Sequence, residues 1–211
     1  MKLYGYWRSS ASYRVRIALH LKGLDFEYEP VHLVQDGGEQ HSKAYAQLNP
    51  AHLVPTLVDG DLELNQSLAI IEYLDALAGP ALVPADPKRA AIVRMLALDM
   101  ACDLQPITNL RVLQYVSGTL EAGDEGRQAW IEHWVGKAFS AFEQRLEKHA
   151  GVYCVGDIIS LADLCLVPQV YNAQRFNVDL TPYPRIMQVH SHLQQLEAFQ
   201  KAAPEQQPDA V

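Results

Sequence analysis

Residues that could bind an anion or activate a thiol come early in the chain, in the segment Arg8-Ser9-Ser10-Ala11-Ser12. The segment lies between a strand-like run and an apolar helical run, so its backbone N–H groups should meet the positive end of a helix. Such a helix start suits an anion or a thiolate, and the hydroxyls and Arg8 could add hydrogen bonds and charge. The alternative is that the hydroxyls only cap the helix, which is the commoner role of serine there.

Two further pairs of residues carry similar potential. Val54-Pro55 precedes a strand-like run, and an X-Pro bond there can be cis, which would turn the backbone outward toward an extended peptide ligand. A trans proline at an edge strand is the commoner alternative. Gln66-Ser67 precedes a helical run, where a hydroxyl and free N–H groups could hold a carboxylate or serve only as a cap.

The pattern around these residues predicts a small α/β domain over residues 1–80. A strand at 2–7 is followed by a helix that stops at Gly23, and a second strand covers 26–33. Two short apolar runs over 56–64 flank Asp59-Gly60, which predicts an antiparallel hairpin. A helix after Ser67 completes a βαβ–ββα order.

A proline-rich linker over residues 79–87 separates this domain from an all-helical one over 88–211. Helical patterns cover about 88–116, 126–149, 160–175 and 184–200. Ser160 and Asp163 form a capping box before the third of these. The tail from Pro204 is expected to be frayed.

Composition limits the possible partners. The 211 residues carry a formal net charge of −8, so nucleic acid and membrane surfaces are poor partners, and no apolar run is long enough to span a bilayer. The eight histidines show no metal-ligand spacing, so no metal is expected. Cys102, Cys154 and Cys165 form no C-x-x-C pair, which predicts three buried thiols in a reducing, cytoplasmic compartment.

The acidic chain nevertheless opens with five cations and no carboxylate before Asp25. Arg8 is a candidate for holding a small anion, because a cleft can reverse the sign of the overall charge locally. The other four, Lys2, Arg14, Arg16 and Lys22, are expected to be structural or solvated.

Together, the order and spacing of these segments resemble the glutathione transferase superfamily. The zeta class, whose members include maleylacetoacetate isomerases, is the best match. The resemblance covers nearly the whole chain and rests on SSASYRVRIALHLKG, LNPAHLVPTL, QSLAIIEYL, QPITNLRVL, YCVGDIISLADLCLVPQVYNAQRF and VDLTPYP. It implies a thioredoxin-like N-terminal domain and an all-α C-terminal domain, with Val54-Pro55 as the cis-proline pair.

The resemblance also implies site residues and a cofactor, glutathione. Ser9 and Ser10 would lie beside the glutathione sulfur and lower its thiol pKa, and Arg8 and Arg175 would hold the carboxylates of the substrate. The other residues expected to contact glutathione are Ser12, Gln40, Val54, Pro55, Gln66, Ser67, Gln105, Asn109, Leu110 and Arg111. A small dicarboxylate substrate and a homodimer are implied as partners.

The implied activity is the glutathione-dependent conversion of maleylacetoacetate to fumarylacetoacetate, in tyrosine and phenylalanine breakdown. A thiolate adds to the cis double bond, the resulting single bond rotates, and elimination gives the trans isomer. The family segment S-S-C-S is S-S-A-S here, so Ala11 provides no thiol and the chemistry depends on the sulfur of glutathione.

Three alternatives stay open. The first is maleylpyruvate isomerisation in gentisate breakdown, with which Ala11 and Arg111 are compatible. The second is glutathione transfer to, or dehalogenation of, small α-halo acids. The third is a glutathione-binding module without activity.

Overall fold

A four-stranded mixed sheet forms the centre of the N-terminal unit in the computed structural model, which describes all 211 residues. The strands are β1 (Lys2–Gly5), β2 (Glu27–Pro30), β3 (Thr56–Asp59) and β4 (Leu62–Asn65), in the order β2-β1-β3-β4. β2 runs parallel to β1, and β1, β3 and β4 pair antiparallel. Gly60 takes φ 64° in the β3–β4 turn, which confirms the predicted hairpin.

Helices α1 (Ser10–Lys22), α2 (Lys43–Leu48) and α3 (Ser67–Leu77) accompany this sheet. α1 ends at Gly23, whose φ of 63° is the left-handed conformation that glycine adopts without steric cost. Leu3, Ile17, Leu57 and Leu74 lie in the core that the sheet and helices share. This arrangement confirms the thioredoxin-like fold expected for the N-terminal half.

The second unit is all-helical, as expected. Its helices are α4 (Pro87–Leu98), α5 (Gln105–Ile107), α6 (Leu110–Gln114), α7 (Gly123–His149), α8 (Leu161–Arg175) and α9 (Pro184–Leu193). The predicted continuous helix over 88–116 is interrupted. Its chain passes through a π-helical segment, Asp99–Leu104, and then breaks at Asn109, whose extended backbone and side chain cap α6.

The capping box before α8 is present as predicted. Asp163 is fully buried, and its carboxylate accepts hydrogen bonds from the Ser160 N–H at 2.8 Å and from the Cys154 N–H at 2.9 Å. Cys154 and Cys165 are buried, but Cys102 is exposed on the π-helical segment. The prediction of three buried thiols is therefore wrong for Cys102, because the chain around it turns that side chain to solvent.

The last residues differ most from the prediction. Residues 195–211 group with residues 1–81 in one compact unit, whereas residues 82–194 form the other. α10 (Glu197–Ala202) packs against α1, and a 3₁₀ turn covers Pro204–Gln206. The expectation of a frayed tail is wrong, and the helical unit ends before residue 195 because the final segment finds its hydrogen-bond partners in the N-terminal unit.

We expect His190 in α9 to make the protein acid-sensitive. Burial lowers the pKa of His190 from its usual 6.5 to about 4, so the folded state holds this ring neutral. The unfolded chain binds the proton first, and about 3 kcal/mol of stability should be lost as the pH falls from about 6.5 to about 4. Urea denaturation of His190→Gln should show a shallower acid loss. The exposed His133→Gln is the control and should follow the wild-type curve.

Candidate active site

Strand pairing brings three of the predicted segments to one edge of the sheet. Tyr4 pairs with Thr56 and Thr56 pairs with Asn65, so the end of β1, the start of β3 and the end of β4 lie side by side. The loop Tyr6–Ser9, the pair Val54-Pro55 and the pair Gln66-Ser67 each adjoin one of these strand ends. A contiguous candidate site in the N-terminal unit follows from this register.

Ser9 and Ser10 open α1 at this edge. The Oγ of Ser9 accepts the backbone N–H of Ser12 at 3.2 Å and so caps the helix. The hydrogen of the Ser9 hydroxyl remains available as a donor while its oxygen serves the cap. Ser10 is the first helical residue and is 6% exposed. Both the capping and the binding interpretation of Ser9 are therefore compatible with this geometry.

Ser12 faces the interior instead. Its side chain has no exposed surface, and its Oγ accepts the Tyr6 N–H at 3.4 Å. α1 therefore turns the Ser12 side chain under the loop rather than toward solvent, and contact of Ser12 with glutathione stays a prediction.

Arg8 is held by the two aromatic residues before it. Its guanidinium lies 4.5 Å from the centre of the Trp7 ring, and Nη2 donates to the Tyr6 hydroxyl at 3.0 Å. The Nε of Arg8 is buried and has no hydrogen-bond partner in the protein. A planar guanidinium with an unused N–H suits a carboxylate. Sequence reasoning missed the orienting role of Tyr6, whose only signal is its place two residues before Arg8.

The Val54–Pro55 peptide is cis, as the resemblance implied. The preceding residue, Leu53, is fixed by its carbonyl, which accepts the Tyr45 hydroxyl and the Asn49 side-chain amide, each at 2.7 Å. The segment entering β3 is thus held in place before the cis bond.

Gln66 and Ser67 form a constrained corner. Gln66 takes φ 73° and ψ 108°, a conformation that is unfavourable for a residue with a side chain and that concentrates at ligand sites. Ser67 begins α3, and its Oγ accepts the Nη1 of the buried Arg14 at 3.2 Å. The Ser67 hydroxyl hydrogen can then point to an anion at the helix N-terminus. Sequence analysis predicts only a structural or solvated role for Arg14, and its place on the apolar face of α1 is the one signal of its contact with Ser67.

Gln40 supplies an acceptor. It is 8% exposed, its Nε2 donates to the Leu33 carbonyl at 3.3 Å, and its buried Oε1 has no partner in the protein. The His52 ring lies 2.9 Å from the Gln40 carbonyl and ties this loop to the segment before β3. An unused buried acceptor fits a peptide-like ligand such as glutathione, which carries amide donors.

The second unit contains the remaining predicted residues. Gln105 lies in α5, Asn109 caps α6 by accepting the Val112 N–H at 3.2 Å, and Leu110 and Arg111 follow it. Arg111 is exposed. The turn between α5 and α6 is fixed by α7, because the Trp130 indole N–H donates to the Ile107 carbonyl at 2.8 Å.

Arg175 is the exposed last residue of α8. Its guanidinium lies 4.2 Å from the centre of the Phe176 ring. The Phe176 carbonyl accepts the Gln128 side-chain amide of α7 at 2.8 Å, which fixes the end of α8. Within this unit, α7 therefore anchors both the α5–α6 turn and the Arg175 end of α8.

The structure contains no group of three or more His, Cys, Asp or Glu side chains placed to hold a metal ion. No helix has the length and apolar character needed to cross a membrane.

Comparison with known proteins agrees with this architecture. The glutathione S-transferase N-terminal domain matches residues 1–76, and the C-terminal domain of the same family matches residues 111–201. A probable maleylacetoacetate isomerase of Vibrio cholerae is 54% identical over 99% of this chain and 97% of that protein.

Two solved structures are similar over their full length. The holo structure of a maleylpyruvate isomerase, a bacterial zeta-class glutathione S-transferase, has a TM-score of 0.96 and 46% identity, and each chain is covered by 100%. The maleylacetoacetate isomerase of Methylobacterium extorquens AM1, with bound malonate and glutathione, has a TM-score of 0.95 and 36% identity with the same coverage. Since two family matches cover most of the chain and the identity and fold agree along its whole length, this chain belongs to the zeta class of the glutathione S-transferase family.

Proposed function

We propose that the protein is a glutathione-dependent cis–trans isomerase that converts maleylacetoacetate to fumarylacetoacetate. The observation that carries the proposal is the start of α1, where Ser9, Ser10 and a ring-held Arg8 stand together at the sheet edge. Thiol activation and carboxylate binding are what this chemistry requires of the protein. The similarity to relatives named maleylacetoacetate isomerase supports the same substrate.

Each residue has a separate task in this proposal. Bound glutathione supplies the nucleophilic thiolate that adds reversibly to the double bond. Ser67 and the N-terminus of α3 hold its γ-glutamyl carboxylate, and Gln40 and the Val54 backbone hold its peptide groups. Ser9 or Ser10 donates to the sulfur.

The substrate is held through its charges. Arg8, beside the start of α1, binds a carboxylate of the substrate. The family resemblance assigns the other carboxylate to Arg175, and it gives Gln105, Asn109, Leu110 and Arg111 as further contacts of the bound molecules. Because Ala11 carries no thiol, the chain itself provides no second sulfur nucleophile at the start of α1.

The direct test is isomerisation of maleylacetoacetate by purified protein with and without glutathione. We expect turnover only when glutathione is present, and we expect the glutathione to be recovered unchanged. Equal rates without glutathione would contradict the proposal. Stoichiometric consumption of free thiol would also contradict it and would favour glutathione transfer over isomerisation.

Maleylpyruvate is the second candidate substrate. Its support is the similarity to the holo maleylpyruvate isomerase together with the exposed cation Arg111, which suits a short diacid. The ratio of kcat/KM on the two diacids decides between them.

We expect Arg8→Lys to raise the KM for the diacid about tenfold while changing kcat less, because an ammonium cannot form the paired hydrogen bonds of a guanidinium. Steady-state kinetics at saturating glutathione measure this effect. The control is Arg127→Lys, which alters a partly exposed arginine that forms an ion pair with Asp124 on α7. An unchanged KM in Arg8→Lys would show that Arg8 does not bind a substrate carboxylate.

The assembly and compartment belong to the same proposal. We propose a homodimer, supported by the family and by the exposed apolar side chains of Met95 and Leu98, one turn apart on α4. We also propose that the protein is located in the cytoplasm, because its three cysteines are free thiols. Sedimentation velocity measures the dimer.

A further inference from the structure

The C-terminal segment after α10 is an ordered part of the N-terminal unit. Pro204 is buried, and the Gln207 side-chain amide donates to the carbonyls of Lys201 and Ala203 at 3.0 and 2.9 Å. These bonds fold the segment back on α10. The chain therefore delivers its last residues to a defined place instead of leaving them in solvent.

Asp209 ends this segment against the loop after β1. Its Oδ2 accepts the backbone N–H of Trp7 at 3.0 Å, across 202 positions of sequence. The carbonyl of the same residue, Trp7, accepts the Nη2 of Arg16 at 2.9 Å. The backbone of Trp7 is thus held from both sides, by a carboxylate on its N–H and by a guanidinium on its C=O.

The two holding groups are themselves linked. Arg16 has no exposed surface, and its Nε donates to the Ala202 carbonyl at the end of α10 at 3.0 Å. Burial lowers the pKa of Arg16, and the Asp209 carboxylate is among the groups whose charge opposes that shift. The end of the chain therefore provides both a carbonyl and a counter-charge for the group that holds the Trp7 carbonyl.

Trp7 is the residue directly before the candidate site. Arg8 follows it and stacks on its ring, and the Ser9 N–H donates to the Tyr6 carbonyl at 2.9 Å. A shift of the Trp7 backbone would move the guanidinium and the helix-capping hydroxyl together. In catalysis, a displacement of about 1 Å can cost about 100-fold in rate.

We propose that Asp209 is a positioning residue, which fixes the Trp7 backbone and through it the placement of Arg8 and Ser9 toward glutathione and substrate. The inference rests on the proposed function, because those two residues matter only if they serve the site. The C-terminal segment is then part of the catalytic apparatus of the N-terminal unit, although Asp209 itself touches neither ligand.

The test compares Asp209→Ala with Asp209→Asn. We expect Asp209→Ala to raise the pKa of the bound glutathione thiol and to lower kcat/KM about tenfold. The thiol pKa is measured from the absorbance of the thiolate as a function of pH. Asp209→Asn keeps an oxygen that can accept the Trp7 N–H, so it should restore part of the loss. In ligand-free protein, the Trp7 amide should exchange its hydrogen faster in Asp209→Ala than in wild type.

Two controls separate positioning from general loosening. Removal of Val211 alone, which is exposed, keeps the Ala210 N–H bond to the Gln207 carbonyl and should change none of the three readouts. Tyr73→Phe deletes the hydrogen bond from the Tyr73 hydroxyl to Asp59, 2.7 Å long and remote from Trp7 in the same unit. It should lower stability without moving the thiol pKa.

Two results would overturn the proposal. The first is a thiol pKa and a kcat/KM in Asp209→Ala that equal those of wild type, at a temperature where the variant is folded. The second is a thiol pKa shift in Tyr73→Phe as large as the shift in Asp209→Ala. A wild-type protein that binds glutathione but leaves the diacid unchanged overturns the proposed function alone, since the thiol pKa and the Trp7 exchange are read without diacid.

Discussion

Replacing Ser9 with alanine is expected to raise the pKa of the bound glutathione thiol and to lower kcat/KM on the order of 100-fold at neutral pH. The Ser9 oxygen accepts the Ser12 N–H through a lone pair, so the hydrogen of its hydroxyl can still donate to the sulfur. Without that donor the thiolate loses stabilisation, so less of it is present near pH 7. The rate should recover in part as the pH is raised, because alkali restores the thiolate.

Ser10→Ala distinguishes the two serines. Ser9 also caps α1, so its replacement should cost about 1 kcal/mol of unfolding free energy, whereas Ser10 is not the cap. If Ser10 is the donor, Ser10→Ala will show the higher thiol pKa with near wild-type stability. Absorbance titration of the thiolate and urea denaturation on the same two variants measure both quantities.

Tyr6→Phe is the control for this assignment. The Tyr6 hydroxyl accepts a hydrogen bond from Arg8 and lies in a buried side chain, so its removal should disturb diacid binding more than the thiol. A raised thiol pKa in Tyr6→Phe, with both serine variants unchanged, would show that the tyrosine activates the sulfur.

The sequence predicts the local elements of this protein well because their signals are local. The hairpin follows from Asp59-Gly60, and the start of α8 follows from Ser160 and Asp163, each within a few residues. The convergence of Arg8, Val54-Pro55 and Gln66-Ser67 needs strand register, which the family resemblance supplied and single motifs did not.

The predictions that failed depend on distant contacts. The Trp7–Asp209 bond joins residues that no periodicity relates, so a polar tail predicted fraying where the structure has an anchored segment. Cys102 lies in a helical pattern, but the π-helical winding changes which face it occupies.

Arg16 is a buried cation whose hydrogen bonds stabilise the core of the N-terminal unit. Its guanidinium has no exposed surface and donates to the carbonyls of Trp7 and Ala202, and its carbon Cζ lies 5.4 Å from the centre of the Tyr13 ring. A buried cation is costly unless hydrogen bonds and counter-charges offset its desolvation. Both kinds of compensation are present around this residue.

Arg16→Met should therefore lower the free energy of unfolding by about 4 kcal/mol, although methionine fills much of the volume. The loss arises because two buried carbonyls lose their donors, and each unsatisfied group costs about 1–3 kcal/mol. The free energy of unfolding of Arg16→Lys should lie between those of wild type and Arg16→Met. A single ammonium keeps the charge but cannot donate to both carbonyls in the same geometry.

Urea denaturation measures these differences, with Arg127→Met as the matched control. That arginine pairs with Asp124 on the surface of α7, and its loss should change stability by less than about 1 kcal/mol. A small effect of Arg16→Met would mean that water or neighbouring groups satisfy the two carbonyls. The Trp7 backbone would then be held by Asp209 alone, and the Asp209 variants should lose correspondingly more activity.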